Sequence, residues 1–156
     1  MKIINTTASL LAILIIVISA GFAHAAGSSV TIYKYSLSVD ENTLVIQLAC
    51  IADDTNGTVP VTTITKANLG FDYINKGYYL WEVWTRAKSP APDAADVEIT
   101  DALGSILYTE VGIIQASGTP EGTIDKAKAV TSNLTVTQSN QATVDAEWSI
   151  YIKLVR

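Results

Sequence analysis

The residues able to do chemistry in this chain are few, and their types limit which reactions are open. The only histidine, His24, lies in an N-terminal stretch that reads as a removable leader, and the only cysteine is Cys50. A chain without histidine and with one thiol cannot assemble a Ser-His-Asp triad, a Cys-His pair, a histidine-ligated zinc or an internal disulfide. Carboxylates remain. Glu82 and Glu98 both fall in stretches that read as strands. Two carboxyl groups about 5–10 Å apart across a cleft can cleave a glycosidic bond, but spacing along the chain does not set that distance. The expectation is a protein that is not an enzyme.

Metal and cofactor chemistry is equally thin. Asp53, Asp54 and Asn56 beside Gly57 offer oxygen ligands. Their spacing lacks the regular series and distant glutamate of an EF-hand loop, so a solvated turn is expected. Asp93, Asp96 and Asp101 around a Pro-rich break read the same way. No metal and no cofactor is expected. Cys50 falls on the apolar face of its strand and reads as a buried, unreactive thiol. Asn56-Gly57-Thr58 and Asn133-Leu134-Thr135 match the N-glycosylation pattern, which matters only in a eukaryotic secretory pathway.

The richest cluster is aromatic: Tyr78-Tyr79-Leu80-Trp81-Glu82-Val83-Trp84. Strict alternation puts Tyr79, Trp81 and Val83 on one face and Tyr78, Leu80, Glu82 and Trp84 on the other. One face must be core. The other either lies under a loop or stands open as an aromatic platform for a sugar ring or a partner's pocket. Tyr78, Trp81 and Trp84 are the candidate ligand-binding residues.

The elements that position them begin after the leader. Lys2 supplies an n-region charge, 8–22 is nearly all apolar, and Ala23-His24-Ala25 is a cleavage-type motif. Residues 1–25 therefore read as a signal peptide cut before Ala26; the apolar run is short and interrupted for a spanning helix. The remaining 131 residues suit one domain, 26–156. Lys2 leaves with the leader, so nine of the ten basic residues face all fifteen acidic ones, a net charge of −6.

Within 26–156, strands alternate with turn signals. Segment 30–39 alternates and, with 44–52, reads as a hairpin. Segment 59–65 is Thr-rich, and Pro60 marks it as an edge. A further short piece is expected over 68–74. The aromatic strand 78–86 follows, then a break at 89–93, a strand 96–100 with Val97 and Ile99 inward, a turn at 101–104 and a strand 105–111. Segment 112–128 reads as a long loop with a helical turn near 125–129. The final hairpin is 133–139 and 144–154, where Val144, Ala146, Trp148, Ile150, Ile152 and Leu154 take every second position. The fold class is all-β: an antiparallel β-sandwich of about seven to nine strands after a cleaved N-terminal signal helix.

Two stretches carry a resemblance. One is Pro92-Asp93-Ala94-Ala95-Asp96-Val97-Glu98-Ile99-Thr100-Asp101-Ala102-Leu103-Gly104. The other is Leu134-Thr135-Val136-Thr137-Gln138-Ser139-Asn140 with the closing strand to Arg156. Over 77–156 the chain resembles small uncharacterised β-sandwich proteins from tailed-phage structural gene regions. Those show a Pro and Asp, a strand, a turn Gly and a closing apolar strand ending in Arg. Ala95 stands where that group has an aromatic residue. The resemblance implies a non-catalytic structural domain and carries over no functional residues.

The expected function is an exported non-catalytic structural or interaction module, a subunit of an extracellular or virion-like assembly. Its partners are expected to be protein, self or other, met through a sheet edge (30–39 or the Pro60 segment) or through the aromatic face. One alternative is a carbohydrate-binding module for polysaccharide with an aromatic platform; another is a carboxylate-only hydrolase. Nucleic acid is not expected, because an acidic chain lacks the cations that neutralise phosphates. No membrane association is expected after signal cleavage. The expected location is secreted, periplasmic or cell surface.

Overall fold

A computed structural model describes residues 27–36, 42–93, 95–114 and 121–156. The 1–25 leader and the turn expected at 40–43 lie outside the described residues, the latter except for Asn42 and Thr43. Nine described strands run in order: β1 (Ser29–Ser36), β2 (Thr43–Ile51), β3 (Thr62–Ile64), β4 (Tyr79–Ala87), β5 (Ala95–Thr100), β6 (Ile106–Ile114), β7 (Glu121–Ala129), β8 (Leu134–Ser139) and β9 (Glu147–Val155). They form a five-stranded sheet of order β1-β2-β9-β4-β7 and a four-stranded sheet of order β3-β8-β5-β6. Every neighbouring pair is antiparallel. The sheets pack as an all-β sandwich. No helix among the described residues is long and apolar enough to cross a membrane.

Period-two alternation builds the core. Leu44, Ile46, Leu48 and Cys50 of β2 are buried, as are Trp148, Ile150, Ile152 and Leu154 of β9. The register sets Ile46 opposite Ile152 and Leu48 opposite Ile150, so the two apolar rows merge at the centre of the larger sheet. Ile64, Val97, Ile99, Leu134 and Val136 answer from the smaller sheet within one continuous core. Each such side chain removed from water stabilises the fold by about 1.5–3 kcal/mol before chain entropy is counted.

The expected strand piece over 68–74 is instead helical. Residues Lys66–Leu69 form one helical turn and Ile74–Lys76 a 3-10 turn. Thr65 is responsible: its hydroxyl accepts from the Asn68 N–H at 3.3 Å, and Asn68 Oδ1 accepts from the Thr65 N–H at 2.8 Å. That reciprocal box satisfies donors which a strand would have left to a neighbour. The turn delivers Tyr73 to the core. Its hydroxyl donates to the Ile64 carbonyl (2.8 Å) and accepts from the Leu134 N–H (3.2 Å), tying β3 to β8.

The reading of 112–128 as a loop is also corrected. Strand β6 continues to Ile114, and β7 covers Glu121–Ala129, where a helical turn was expected. Residues 115–120 lie outside the described residues. The β7 sequence is rich in Gly, Ala, Lys and Asp, which are poor strand formers. It pairs with β4 alone, and the backbone ladder to β4 holds an edge strand without apolar alternation. Val144 is a smaller correction. It is exposed and sits in a turn with Asp145 at φ 53°, so β9 starts three residues later, at Glu147.

Loop 53–58 follows expectation. Asp53 Oδ1 accepts from the N–H groups of Thr55 and Asn56, and Gly57 takes φ 71°. A Cβ on Gly57 would lie 2.4 Å from the Ala142 carbonyl carbon, so only glycine fits this close approach.

Candidate functional site

The candidate site grows from an irregularity in β4. Leu80 pairs with Leu154, but the next partner, Lys153, faces Glu82, so Trp81 is an extra residue in a β-bulge. The bulge turns Trp81 and Glu82 outward together and shifts everything after them. Tyr79, Trp81, Glu82, Trp84 and Arg86 are at least partly exposed, while Leu80, Val83 and Thr85 are buried. Strict alternation had put Val83 with Trp81, and Trp84 with Leu80; both are corrected by that one inserted residue. Trp81 and Trp84 share the outer face of the five-stranded sheet, with Trp81 53 % exposed.

Tyr78, the third candidate, does not join them. It precedes β4 and is 1 % exposed in the core, edge-on to Phe71 at 6.5 Å and with the Arg156 guanidinium 5.7 Å from its ring. Its faces are taken by the protein's own groups, so it offers no platform.

Other strands supply residues that the local cluster did not reveal. Trp84 faces Tyr151 directly across β4 and β9, and the rings stack at 5.0 Å with 6° between their planes. Tyr151 faces Gln47 on β2, and Gln47 faces Tyr33 on β1. Tyr35 lies opposite Val45 in the adjoining row. Tyr33 and Tyr35 are each 47 % exposed. One sheet face thus carries aromatic side chains from β1, β9 and β4.

Between them runs an open groove of about 340 Å³, lined by Tyr35, Val45, Gln47, Trp84 and Tyr151. Val45 and Gln47 of β2 lie between Tyr35 on one side and the Tyr151–Trp84 stack on the other. Gln47 is fixed there: Tyr35 Oη donates to its Oε1 (3.1 Å), and its Nε2 donates to Ser149 Oγ (2.9 Å). On the same outer face Lys153 Nζ donates to Glu82 Oε2 at 3.0 Å, and Arg86, two residues beyond Trp84 and opposite Ser149, stands exposed.

The alternative chemistries find less. Glu82 faces outward from the five-stranded sheet, and Glu98 alternates with buried Val97 and Ile99 on the four-stranded sheet. The two carboxylates lie on opposite outer faces of the sandwich, so they cannot flank one bond. Asp53 and Asp101 serve their own turns, and Asp93 and Asp96 tie to other segments. Asp101 Oδ1 accepts from the N–H groups of Leu103 and Ser105, Asp93 accepts from Ala142, and Asp96 accepts from Gly112 and Asn140. Among the described residues no group of three His, Cys, Asp or Glu could hold a metal ion. Cys50 is buried, and burial pushes its thiol up to about 12 despite a contact from Gln138 Nε2.

No protein-family model, no curated protein and no solved structure matches this chain.

Proposed function

We propose that the chain is an exported, non-catalytic binding module that works through the outer face of its five-stranded sheet. The observation that carries this reading is the shared outward placement of Trp81 and Trp84, joined by Tyr151, Tyr33 and Tyr35. A sandwich needs apolar side chains on its inner faces only; large aromatics gathered on an outer face point to something that covers them. Export rests on the 1–25 leader, and the mature protein is expected to begin at Ala26 by N-terminal sequencing.

The test is a panel of soluble glycans and extended peptides, read by Trp emission and by shift in Tm. At least one class is expected to move both signals in the wild type and neither in Trp84→Ala. A ligand that moves them equally in the variant, or a panel without response, overturns the reading.

A second reading, an assembly subunit, is favoured by one observation. β1 pairs only with β2, and β3 only with β8, so the two segments expected as edges are edges among the described strands. An unpaired row of N–H and C=O groups is a template for another strand. Light scattering after size exclusion tests it: a mass above the monomer that falls with Thr31→Pro supports assembly, and a strict monomer at high concentration ends it.

A further inference from the structure

We infer that the groove between Tyr35 and the Tyr151–Trp84 stack is a subsite for a neutral glycan chain. This rests on the reading of the outer face as the binding surface and names its ligand. Three observations select the class. The first is shape: at about 340 Å³ the groove lies at the small end of ligand sites, about 300–1,000 Å³, and it is open, so it suits a short stretch of a longer chain lying across the sheet. The second is the wall chemistry. A pyranose ring presents C–H bonds on its flat faces and hydroxyls around its rim. The C–H faces match the negative face of an aromatic ring; the mutual stack takes one face each of Tyr151 and Trp84 and leaves the others, with Tyr35, for a sugar, while the rim requires hydrogen-bonding partners nearby.

Gln47 supplies those partners. It lines the groove with one N–H donating to Ser149 and one acceptor position filled by Tyr35. An amide has two donors and two acceptor positions, so one of each remains for a hydroxyl, which both gives and takes a hydrogen bond. The bonds already made hold the amide in place, so little side-chain freedom is lost when a ligand binds. An aliphatic side chain would leave that donor and acceptor unused.

The third observation is charge. The ion pair Glu82–Lys153 beside the groove is internally neutral, with both side chains about one-third exposed. No unpaired charge lines the groove. Arg86 stands outside the lining, so an anionic or cationic ligand would lose hydration in the groove without a counter-charge among the residues that line it. Neutral sugar chains lose least.

The experiment uses the full mature chain in native gels containing β-1,4-glucan, xylan, mannan or α-1,4-glucan, with polygalacturonate as the anionic control and extended peptides assayed in parallel by Trp emission. At least one neutral glycan is expected to retard the wild type. Trp84→Ala and Tyr151→Ala are expected to weaken that retardation at least about tenfold, and Gln47→Ala about tenfold, the scale of one hydrogen bond to a ligand. Trp81→Ala, outside the groove lining, should change it less. Circular dichroism and Tm on each variant keep a folding defect apart from a binding defect. If peptides bind through Trp84 and no neutral glycan does, the glycan inference falls while the binding face stands. Retardation by polygalacturonate alone, removed by salt, also overturns it. Silence from glycans and peptides together overturns both.

Discussion

Trp148 and Tyr151 sit three positions apart on β9 and face opposite ways. Trp148 points into the sandwich, is fully buried, and donates its indole N–H to Gln138 Oε1 at 2.7 Å. Tyr151 points outward and stacks on Trp84. The inner ring is held by enclosure and by a partner for its polar atom. The outer ring is held mainly by one neighbour. Both obey the same alternation, so alternation assigns a face but not a purpose. The inner aromatics follow from the need for a core. The outer ones fill no core, and the proposed binding function is the account of them that the variants below put to the test.

The largest expected effects test this contrast directly. Trp148→Ala should lower stability by about 3–5 kcal/mol, through a cavity and an abandoned Gln138 acceptor. Trp84→Ala should cost about 1 kcal/mol or less, the scale of one aromatic stack at a surface. Urea denaturation of the two variants measures both. Equal losses would mean that the outer stack is structural, and the contrast would collapse.

A subtler pair separates the hydroxyls. Tyr73→Phe strands the Ile64 carbonyl and the Leu134 N–H in the core and should cost on the order of 2 kcal/mol. Tyr35→Phe removes only a half-exposed bond to Gln47 and should fall within about 0.5 kcal/mol. The same denaturation curves decide it; a Tyr35→Phe loss as large as that of Tyr73→Phe would show that the outer network carries fold stability.

The fold was more legible than the site, for a physical reason. Rows such as Leu44-Ile46-Leu48 and Ile150-Ile152-Leu154 announce a strand because side-chain direction repeats every second residue. Where that local rule was broken, reading failed. The bulge at Trp81 leaves no mark in composition, yet it moved Trp84 to the outer face beside Trp81. Strand β7 is held by β4 rather than by its own propensities, so 121–129 looked like loop. Thr65 and Asn68, which cap a helical turn, passed for strand residues. The site adds a second difficulty. Trp84 was legible as a candidate, but Tyr151, Gln47 and Tyr35 reach it only because the sheet order is β1-β2-β9-β4. The outward direction of Tyr151 could be read from the inward row around it; its neighbour could not.

Alkaline pH probes the enclosed side of the contrast. Burial raises the Cys50 thiol from 9.0 to about 12 and the Tyr73 hydroxyl from 10.0 to about 12. Both groups are almost wholly uncharged in either state below about pH 8, so stability there should not change on their account. As pH rises from 9 through 12, the unfolded chain releases protons that the folded chain retains, and stability falls. The loss should be on the order of 1 kcal/mol at pH 10, mostly from Cys50. Urea midpoints at pH 8 and pH 10 should differ for the wild type and differ less for Cys50→Ala. An unchanged slope in the variant would mean that the thiol is not enclosed.

Tyr108 on β6 tests the rule at its exception. Its ring is 6 % exposed, yet its hydroxyl finds no hydrogen-bond partner among the described residues. If enclosure alone fixes an inner aromatic, the hydroxyl is a burden, because a buried donor without an acceptor carries its desolvation penalty uncompensated. Tyr108→Phe keeps the ring and removes the burden, so stability should stay level or rise by up to about 1 kcal/mol. Tyr73→Phe makes the same chemical change with the opposite sign, because there the hydroxyl serves two backbone groups. Thermal melts of the two variants in one buffer give the comparison. A Tyr108→Phe protein that melts well below the wild type would show that this ring too is held by its polar tip as well as by its packing.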